Sequence, residues 1–331
     1  MKNNLKIPLI IFIAIIGIGV LLAMTLCAPR IARKVRVWKL TRDMTGGTSL
    51  VYEIDTKGLT EEQKKDLSKK MIAVLKKRVD PYGYLPIIWQ PLSETRFEIQ
   101  ISTVMESTTV RDIQRMFKGA GILEFRILPT EGHPDVNMAV MRGYIELQQK
   151  KGPEQASDNN YVWCEIENFE EWRATDREGR PSIIETFGDK YYVLASNKTD
   201  ESMLHSPAKE EWKLEKAYPT TDAMGRRAIG FLLDDRGGNK FFKVTGKNID
   251  RPLCILLDGI AISAPNIESS IRSQGNITGT FTQTQVEDMV NKLNAGCLPA
   301  KLIEQPIEVK TIVLNNNPDN SDTNKAVENK I

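Results

Sequence analysis

Residues 257–267 read LDGIAISAPNI, two short apolar runs that meet at Asp258 and Gly259. Both central residues of the favoured two-residue hairpin turn need positive φ, which Gly adopts freely and Asp tolerates. The stretch therefore predicts a β-hairpin whose second strand is followed by Pro265. In local chemistry, Asp258, Gly259 and Pro265 serve the geometry of a turn and indicate no reaction.

The sequence around this hairpin predicts an α+β segment over residues 223–314. A helix opened by Gly237 and Gly238 is predicted at about 239–245, and a second one at about 283–293. Apolar alternation predicts the strands, which lie at 228–235, 252–258, 260–267, 276–281 and about 307–313.

An earlier segment, residues 45–130, has the predicted order β-α-β-β-α-β. One amphipathic helix starts at Thr60 and runs to Val79, and a turn is predicted at Gly46 and Gly47. Two crossover helices on one face of such a sheet are typical of ferredoxin-like domains. The remaining elements are strands at 48–54, 86–90, 96–102 and 121–128 and a helix at about 109–118.

Two regions depart from this pattern. Residues 131–222 lose the regular alternation, contain Trp163, Trp172 and Trp212, and predict an inserted head subdomain. Residues 315–331 are polar, without aromatic side chains, and predict a disordered tail. The predicted fold class is α+β, with ferredoxin-like base segments and an inserted head.

The N-terminus predicts a membrane anchor over residues 1–29, followed by a basic linker over residues 30–44. Residues 7–28 carry no charge and are long enough, as a helix, to cross a bilayer core of roughly 30 Å. Basic residues after this run outnumber those before it, and the positive-inside rule alone would put the large domain in the cytoplasm. The rule constrains long domains weakly, so charge leaves the orientation open.

Composition argues against several functional classes. The net charge of +2, from 45 basic and 43 acidic residues, provides no strong field for nucleic acid. The four cysteines lie far apart and the chain has two histidines, His133 and His205, so neither a zinc site nor a catalytic triad is expected. Asp234 and Asp235 are neighbours on a predicted strand, where side chains point to opposite faces and do not converge on a metal. We expect no catalytic, metal or cofactor residue, and a binding protein rather than an enzyme.

Several motifs, in order along the chain, resemble those of the SecD family of the bacterial Sec export machinery. They are DMTGGTSLVYEID at 43–55, VLKKRVDPYGY at 74–84, AGILEFRIL at 120–128 and the block from 238 to 299, which contains LDGIAISAP, ITGTF and LNAGCLP. Residues 41–44, Thr-Arg-Asp-Met, depart from the family's Gly-Leu-Asp-Leu and keep only the Asp. The residues that carry the resemblance are Asp43, Gly46, Gly47, Arg78, Val79, Asp80, Gly83, Glu124, Phe125, Leu257, Asp258, Gly259, Ser263, Ala264, Pro265, Gly279, Phe281, Gly296, Leu298 and Pro299.

The resemblance implies a single-pass protein of the cytoplasmic membrane whose large domain lies on the periplasmic side. It implies the SecYEG channel and SecF as partners, and an extracytoplasmic domain that binds emerging unfolded preprotein. SecD relatives continue after LPAKLI into five more membrane helices. Without them this chain is expected not to couple proton flow alone, unless a separate protein supplies them.

Two questions stay open at this point. The cargo could bind apolar surface between base and head, or an open sheet edge, with Trp163, Trp172 and Trp212 as candidate contacts. The alternative for these three side chains is ordinary core packing. A second reading of the whole chain is a structural or regulatory envelope protein that keeps the SecD domain but acts apart from the translocase.

Overall fold

The computed structural model describes residues 46–102, 107–205 and 211–313. The predicted anchor, linker and tail, together with Asp43, lie outside the described residues. No helix within the described ranges is both long and apolar enough to cross a bilayer. What is described consists of two packed bodies, with the second body inserted into the first.

Fourteen strands and six helices make up the described part of the chain. The strands are β1 Gly46–Glu53, β2 Ile87–Pro91, β3 Arg96–Ser102, β4 Leu123–Ile127, β5 Tyr161–Glu165, β6 Ile184–Phe187, β7 Lys190–Ser196, β8 Ser202–Met203, β9 Leu214–Thr221, β10 Arg227–Leu233, β11 Leu253–Leu257, β12 Ile260–Ser263, β13 Gln274–Thr278 and β14 Glu308–Val313. The helices are α1 Glu61–Lys64, α2 Leu67–Val79, α3 Ser107–Phe117, α4 Met138–Lys151, α5 Asp235–Lys247 and α6 Gln283–Ala295.

The first body is an antiparallel sheet of order β14-β1-β3-β2 packed against α2 and α3. Its fourth strand differs from the sequence prediction, in which residues 121–128 complete the sheet. Those residues form β4, which pairs with β11 in the second body, and β14 pairs with β1 from Gly46 opposite Val313 to Val51 opposite Glu308. The physical reason lies after α3, where Gly119 and Gly121 both adopt positive φ and turn the chain away.

Two local predictions in this body also need correction. The single helix over 60–79 is divided, because Asp66 adopts a left-handed φ of 55° between α1 and α2. Thr60 does start α1, through a capping box with Gln63, but α1 buries no residue whereas α2 buries Met71 and Leu75. Gly46 and Gly47 are the first residues of β1 and are buried, rather than forming a turn.

The second body places a core between the sheet β13-β10-β9, the sheet β12-β11-β4-β8 and helices α5 and α6. Phe125 lies at its centre, with ring centroids 4.7 Å from Phe241 and 5.3 Å from Phe231. The strands and the last helix predicted over 223–314 are confirmed within a few residues. α5 begins earlier than predicted, because Asp234 caps it by accepting a hydrogen bond from the Gly237 amide at 2.8 Å.

A third sheet, β5-β7-β6, covers the outer face of β11 and β12. Helix α4 packs on its other side and is absent from the sequence prediction; Asn137 caps α4 through the Ala139 and Val140 amides. The predicted head, 131–222, ends between β9 and β10, and these two strands pair with each other across that boundary. The domain division at 222 stays a prediction.

The neighbours Phe241 and Phe242 provide a test of the second core. Phe241 is 1% exposed in the core whereas Phe242 is 41% exposed on the same helix. Phe241→Ala should therefore lower the free energy of unfolding by about 3–5 kcal/mol, whereas Phe242→Ala should cost less than about 1 kcal/mol. Urea denaturation followed by circular dichroism measures both, and equal effects would contradict the core described here.

Candidate functional site

The hairpin predicted at residues 257–267 is confirmed. Asp258 and Gly259 have φ values of 57° and 81° between β11 and β12. Asp258 does more than form the turn, because its amide donates to the Ile122 carbonyl at 2.8 Å and its Oδ1 accepts from the Ile122 amide at 2.9 Å. The turn thereby holds the chain just before β4.

Close to this turn, the fully buried side chain of Arg78 joins the two bodies. Its Nη1 donates to the Gly119 carbonyl at 2.8 Å, and its Nη2 donates to the carbonyls of Ala120 and Gly296 at 2.5 and 3.3 Å. The chain enters the second body at 118–121 and leaves it at 296–298, so one guanidinium binds both crossings. Burial lowers the pKa of Arg78 to about 10, although the nearby Asp258 acts in the opposite direction.

Family-motif residues surround this guanidinium. Gly121 has a φ of 79°, and a Cβ there would lie 2.6 Å from Nη2 of Arg78, so a larger residue would displace the arginine. The Leu298 amide donates to the Ala120 carbonyl at 2.9 Å, and the Cys297 thiol donates to the Gly121 carbonyl at 3.3 Å. Burial raises the pKa of Cys297 to about 11, which disfavours a reactive thiolate. This arrangement is a structural joint.

Other motif residues also have structural positions. Asp80 accepts from the amides of Tyr84 and Leu85 in a turn that contains Gly83. Glu124 pairs with Arg126 at 3.1 Å. Four further motif residues pack in or beside the cores, and Pro299 directly follows one of them. The four are Val79, Phe125, Leu257 and Leu298.

The second half of the hairpin motif lines a cleft of about 750 Å³ in the second body. Its lining comes from the loop 167–173 that follows β5 and from residues 262–265 and 278–281. Two family motifs that are separate in sequence meet here. The motif residues in the lining are Ser263, Ala264, Pro265, Gly279 and Phe281.

The cleft combines apolar surface with unpaired polar groups. Ala264 and the ring of Phe281 are largely buried in its wall, and a Cβ on Gly279 would lie 2.8 Å from the tip of that ring, so glycine leaves room for it. The Ser263 hydroxyl and the Trp172 indole N–H are buried without a hydrogen-bond partner among the described residues.

Carboxylates also line the cleft. Glu167, Glu170 and Glu171 all belong to the loop 167–173. Burial raises the pKa of Glu167, while the charge of Lys292 acts in the opposite direction. Arg173, on the same loop, donates hydrogen bonds to the backbone carbonyls of Glu170 and Trp172, at 3.1 and 2.7 Å.

All three tryptophans proposed as cargo contacts are buried. Trp163, Trp172 and Trp212 are 7%, 8% and 2% exposed, and the Trp212 indole donates to the Leu204 carbonyl at 2.8 Å. Their burial favours the core-packing alternative; only Trp172 lines the cleft. An aromatic pair that the sequence reasoning missed lies beside the cleft wall: Phe169 and Tyr191 are half-exposed and stacked, with ring centroids 3.7 Å apart.

The described residues offer no group of three or more His, Cys, Asp or Glu side chains that could hold a metal ion. Cys164, Cys254 and Cys297 are free thiols. The expectation that the protein works without catalytic residues or a cofactor stays a prediction.

Comparisons with known proteins agree with the motifs. A family described as SecDF, P1 head subdomain, matches residues 192–300. The protein translocase subunit SecD of Elusimicrobium minutum is 26% identical over 280 residues, which cover 82% of this chain and 54% of that protein. SecD of Sebaldella termitidis is 38% identical over 100 residues, 30% of this chain and 24% of that protein. The chain thus spans about half the length of the first of these relatives.

A solved structure shows the same fold. The crystal structure of SecDF in a super-membrane-facing form superposes with a TM-score of 0.51 at 20% identity and covers 88% of this chain and 35% of that one. The described residues therefore have a mixed α/β fold similar to that of SecDF periplasmic domains. The protein is SecD-like across this region.

Replacing Arg78 tests the joint. Arg78→Met should lower the free energy of unfolding by about 3 kcal/mol, because three carbonyl groups lose the guanidinium and, among the described residues, only that of Ala120 keeps another donor, the Leu298 amide. Arg78→Lys should recover only part of this loss, since an ammonium group lacks the planar fork. Lys77→Met, at the exposed neighbouring position, is the control for urea denaturation. An Arg78→Met protein as stable as the Lys77→Met control would contradict the role of the joint.

Proposed function

We propose that this chain assists protein translocation by holding unfolded polypeptide in the cleft bounded by residues 167–173, 262–265 and 278–281. The observation that carries the proposal is the meeting of two SecD motifs, Ser263-Ala264-Pro265 and Gly279 to Phe281, on this one surface. Relatives of the chain carry the name protein translocase subunit, which supports the class of function.

Unpaired strand edges at the cleft supply the physical basis for binding. β13 is an edge strand of its sheet. Among the described residues, the outer edge of β12 is paired only at Ala261, which forms a β-bridge with Ile166 and accepts a hydrogen bond from the Glu167 amide. An extended chain adds to such an edge through backbone hydrogen bonds, which every sequence offers. The apolar lining then accepts alternate side chains, so binding has little sequence preference.

The wider setting follows from the family resemblance. We propose that residues 7–28 anchor the chain in the cytoplasmic membrane, that the two bodies lie on the periplasmic side, and that SecYEG and SecF are partners. The order β14-β1-β3-β2 with helices on one face supports a ferredoxin-like base. The roles proposed for the side chains are binding roles, and none is catalytic.

Filling the cleft tests its role directly. Thr280 is exposed and lines the cleft, whereas Thr284 is exposed nearby and does not line it. Thr280→Trp should weaken binding of a labelled unfolded peptide at least about tenfold, because the added ring occupies the site, whereas Thr284→Trp should bind like the unaltered protein. Fluorescence anisotropy measures affinity, and unchanged melting temperatures show that both variants are folded. Equal affinities would exclude this cleft.

Crosslinking in cells separates the two readings of function. A photoreactive residue at position 280 should form adducts with a preprotein arrested in translocation, and the chain should co-purify with Sec components. Peptide binding without any contact to a preprotein or a Sec component would favour the envelope protein that acts apart from the translocase.

A further inference from the structure

Two exposed tyrosines lie on the turn between α2 and β2, far from the cleft in sequence. Tyr82 is 78% exposed and Tyr84 is 63% exposed, and their rings stack with centroids 6.0 Å apart and an interplanar angle of 18°. Neither ring belongs to a hydrophobic core. Packing within the described residues therefore does not account for them.

The turn that carries the rings is built from local hydrogen bonds. Both carboxylate oxygens of Asp80 accept backbone amides, from Tyr84 at 2.8 Å and Leu85 at 2.7 Å. The Gly83 amide donates to the Asp80 carbonyl at 3.1 Å, and its φ of 71° is one that side-chain-bearing residues adopt rarely. The two rings are thus presented outward from a well-bonded turn.

The turn lies at the end of the first sheet where the chain enters it. Ile87, the first residue of β2, pairs with Ile101, and Ile101 pairs with Thr48 near the start of β1. Neighbouring strands lie about 4.8 Å apart, so β2 is about 10 Å from β1 across the sheet. Gly46 at this end follows the basic linker and the apolar run at 7–28.

Positive charge accompanies the rings. Lys76 and Lys77 are exposed in the last turn of α2, immediately before the turn, and neither forms an ion pair within the described residues. Tyrosine has an apolar ring and a polar hydroxyl, and it is enriched where hydrocarbon meets water. Lysine is attracted to the anionic headgroups of the same layer.

We propose that Tyr82, Tyr84, Lys76 and Lys77 dock the first body onto an anionic lipid bilayer. The contact is small, and a tether through residues 29–45 would make it effective by keeping the turn at high local concentration near the membrane. A projecting turn with unpaired lysines, at the end that leads to the apolar run, favours a lipid surface over a protein groove. The proposal rests on the proposed anchor and is independent of polypeptide binding in the cleft.

Photocrosslinking to lipid tests this docking with the full chain in nanodiscs of anionic phospholipid. Benzoylphenylalanine replaces Tyr82, or Met224 as the control, which is 80% exposed in the second body. We expect at least about fivefold more lipid adduct at position 82 than at position 224. Lys76→Gln combined with Lys77→Gln should lower the yield at position 82 about threefold in anionic discs and leave it unchanged in zwitterionic discs.

A photoreactive probe at Ile13, within the apolar run, distinguishes failure of the lipid docking from failure of the membrane anchor. Lipid adducts at position 13 with no excess at position 82 over 224 would overturn the docking and leave the anchor in place. An absence of adducts at position 13 would overturn both. Adducts of position 82 with protein in place of lipid, in discs that also contain Sec components, would overturn the lipid assignment in favour of a protein contact. None of these results changes the peptide affinity measured with Thr280→Trp.

Discussion

The contact of the Arg78 guanidinium with three backbone carbonyls fixes how the two bodies meet. Burying a charge among neutral acceptors is costly, and the lowered pKa of Arg78 expresses that cost. Arginine is suited to the position because a planar fork of several donors reaches carbonyls on two separate chain segments at once. Because both crossings of the chain meet at one side chain, this group helps to set the orientation of the second body. The ion pair between Arg115 and Asp288 adds a second link, between α3 and α6.

The sequence predicts those elements whose conformation depends on neighbouring residues. The positive φ values at Asp258 and Gly259 follow from the Asp-Gly turn, and the strands predicted over 223–314 follow from apolar alternation. The exchange of β4 for β14 in the first sheet could not be predicted in this way, because periodicity gives the face of a strand but not its distant partner. Helix α4 was missed because few of its side chains are buried, so its apolar pattern is weak.

The residues of the cleft also could be predicted only in part from the sequence. Side-chain chemistry alone indicates the three tryptophans as cargo contacts, whereas the structure packs all three away from solvent. The motif Ser263-Ala264-Pro265 had value in the sequence chiefly as a family identifier, yet its residues line the cleft. Gly279 illustrates why: its missing side chain matters only through the Phe281 ring beside it, a relation that three-dimensional packing creates.

The pairing of β1 with β14 has a consequence for how the protein folds. The two strands come from opposite ends of the described chain, so β1 keeps an open edge until the last strand has been made and delivered. The second body, whose elements are contiguous in sequence, can assemble first. Contacts between such distant segments form slowly, because the chain must lose the entropy of closing a long loop before these contacts stabilise it. The body that begins the described chain is therefore the one that finishes folding last.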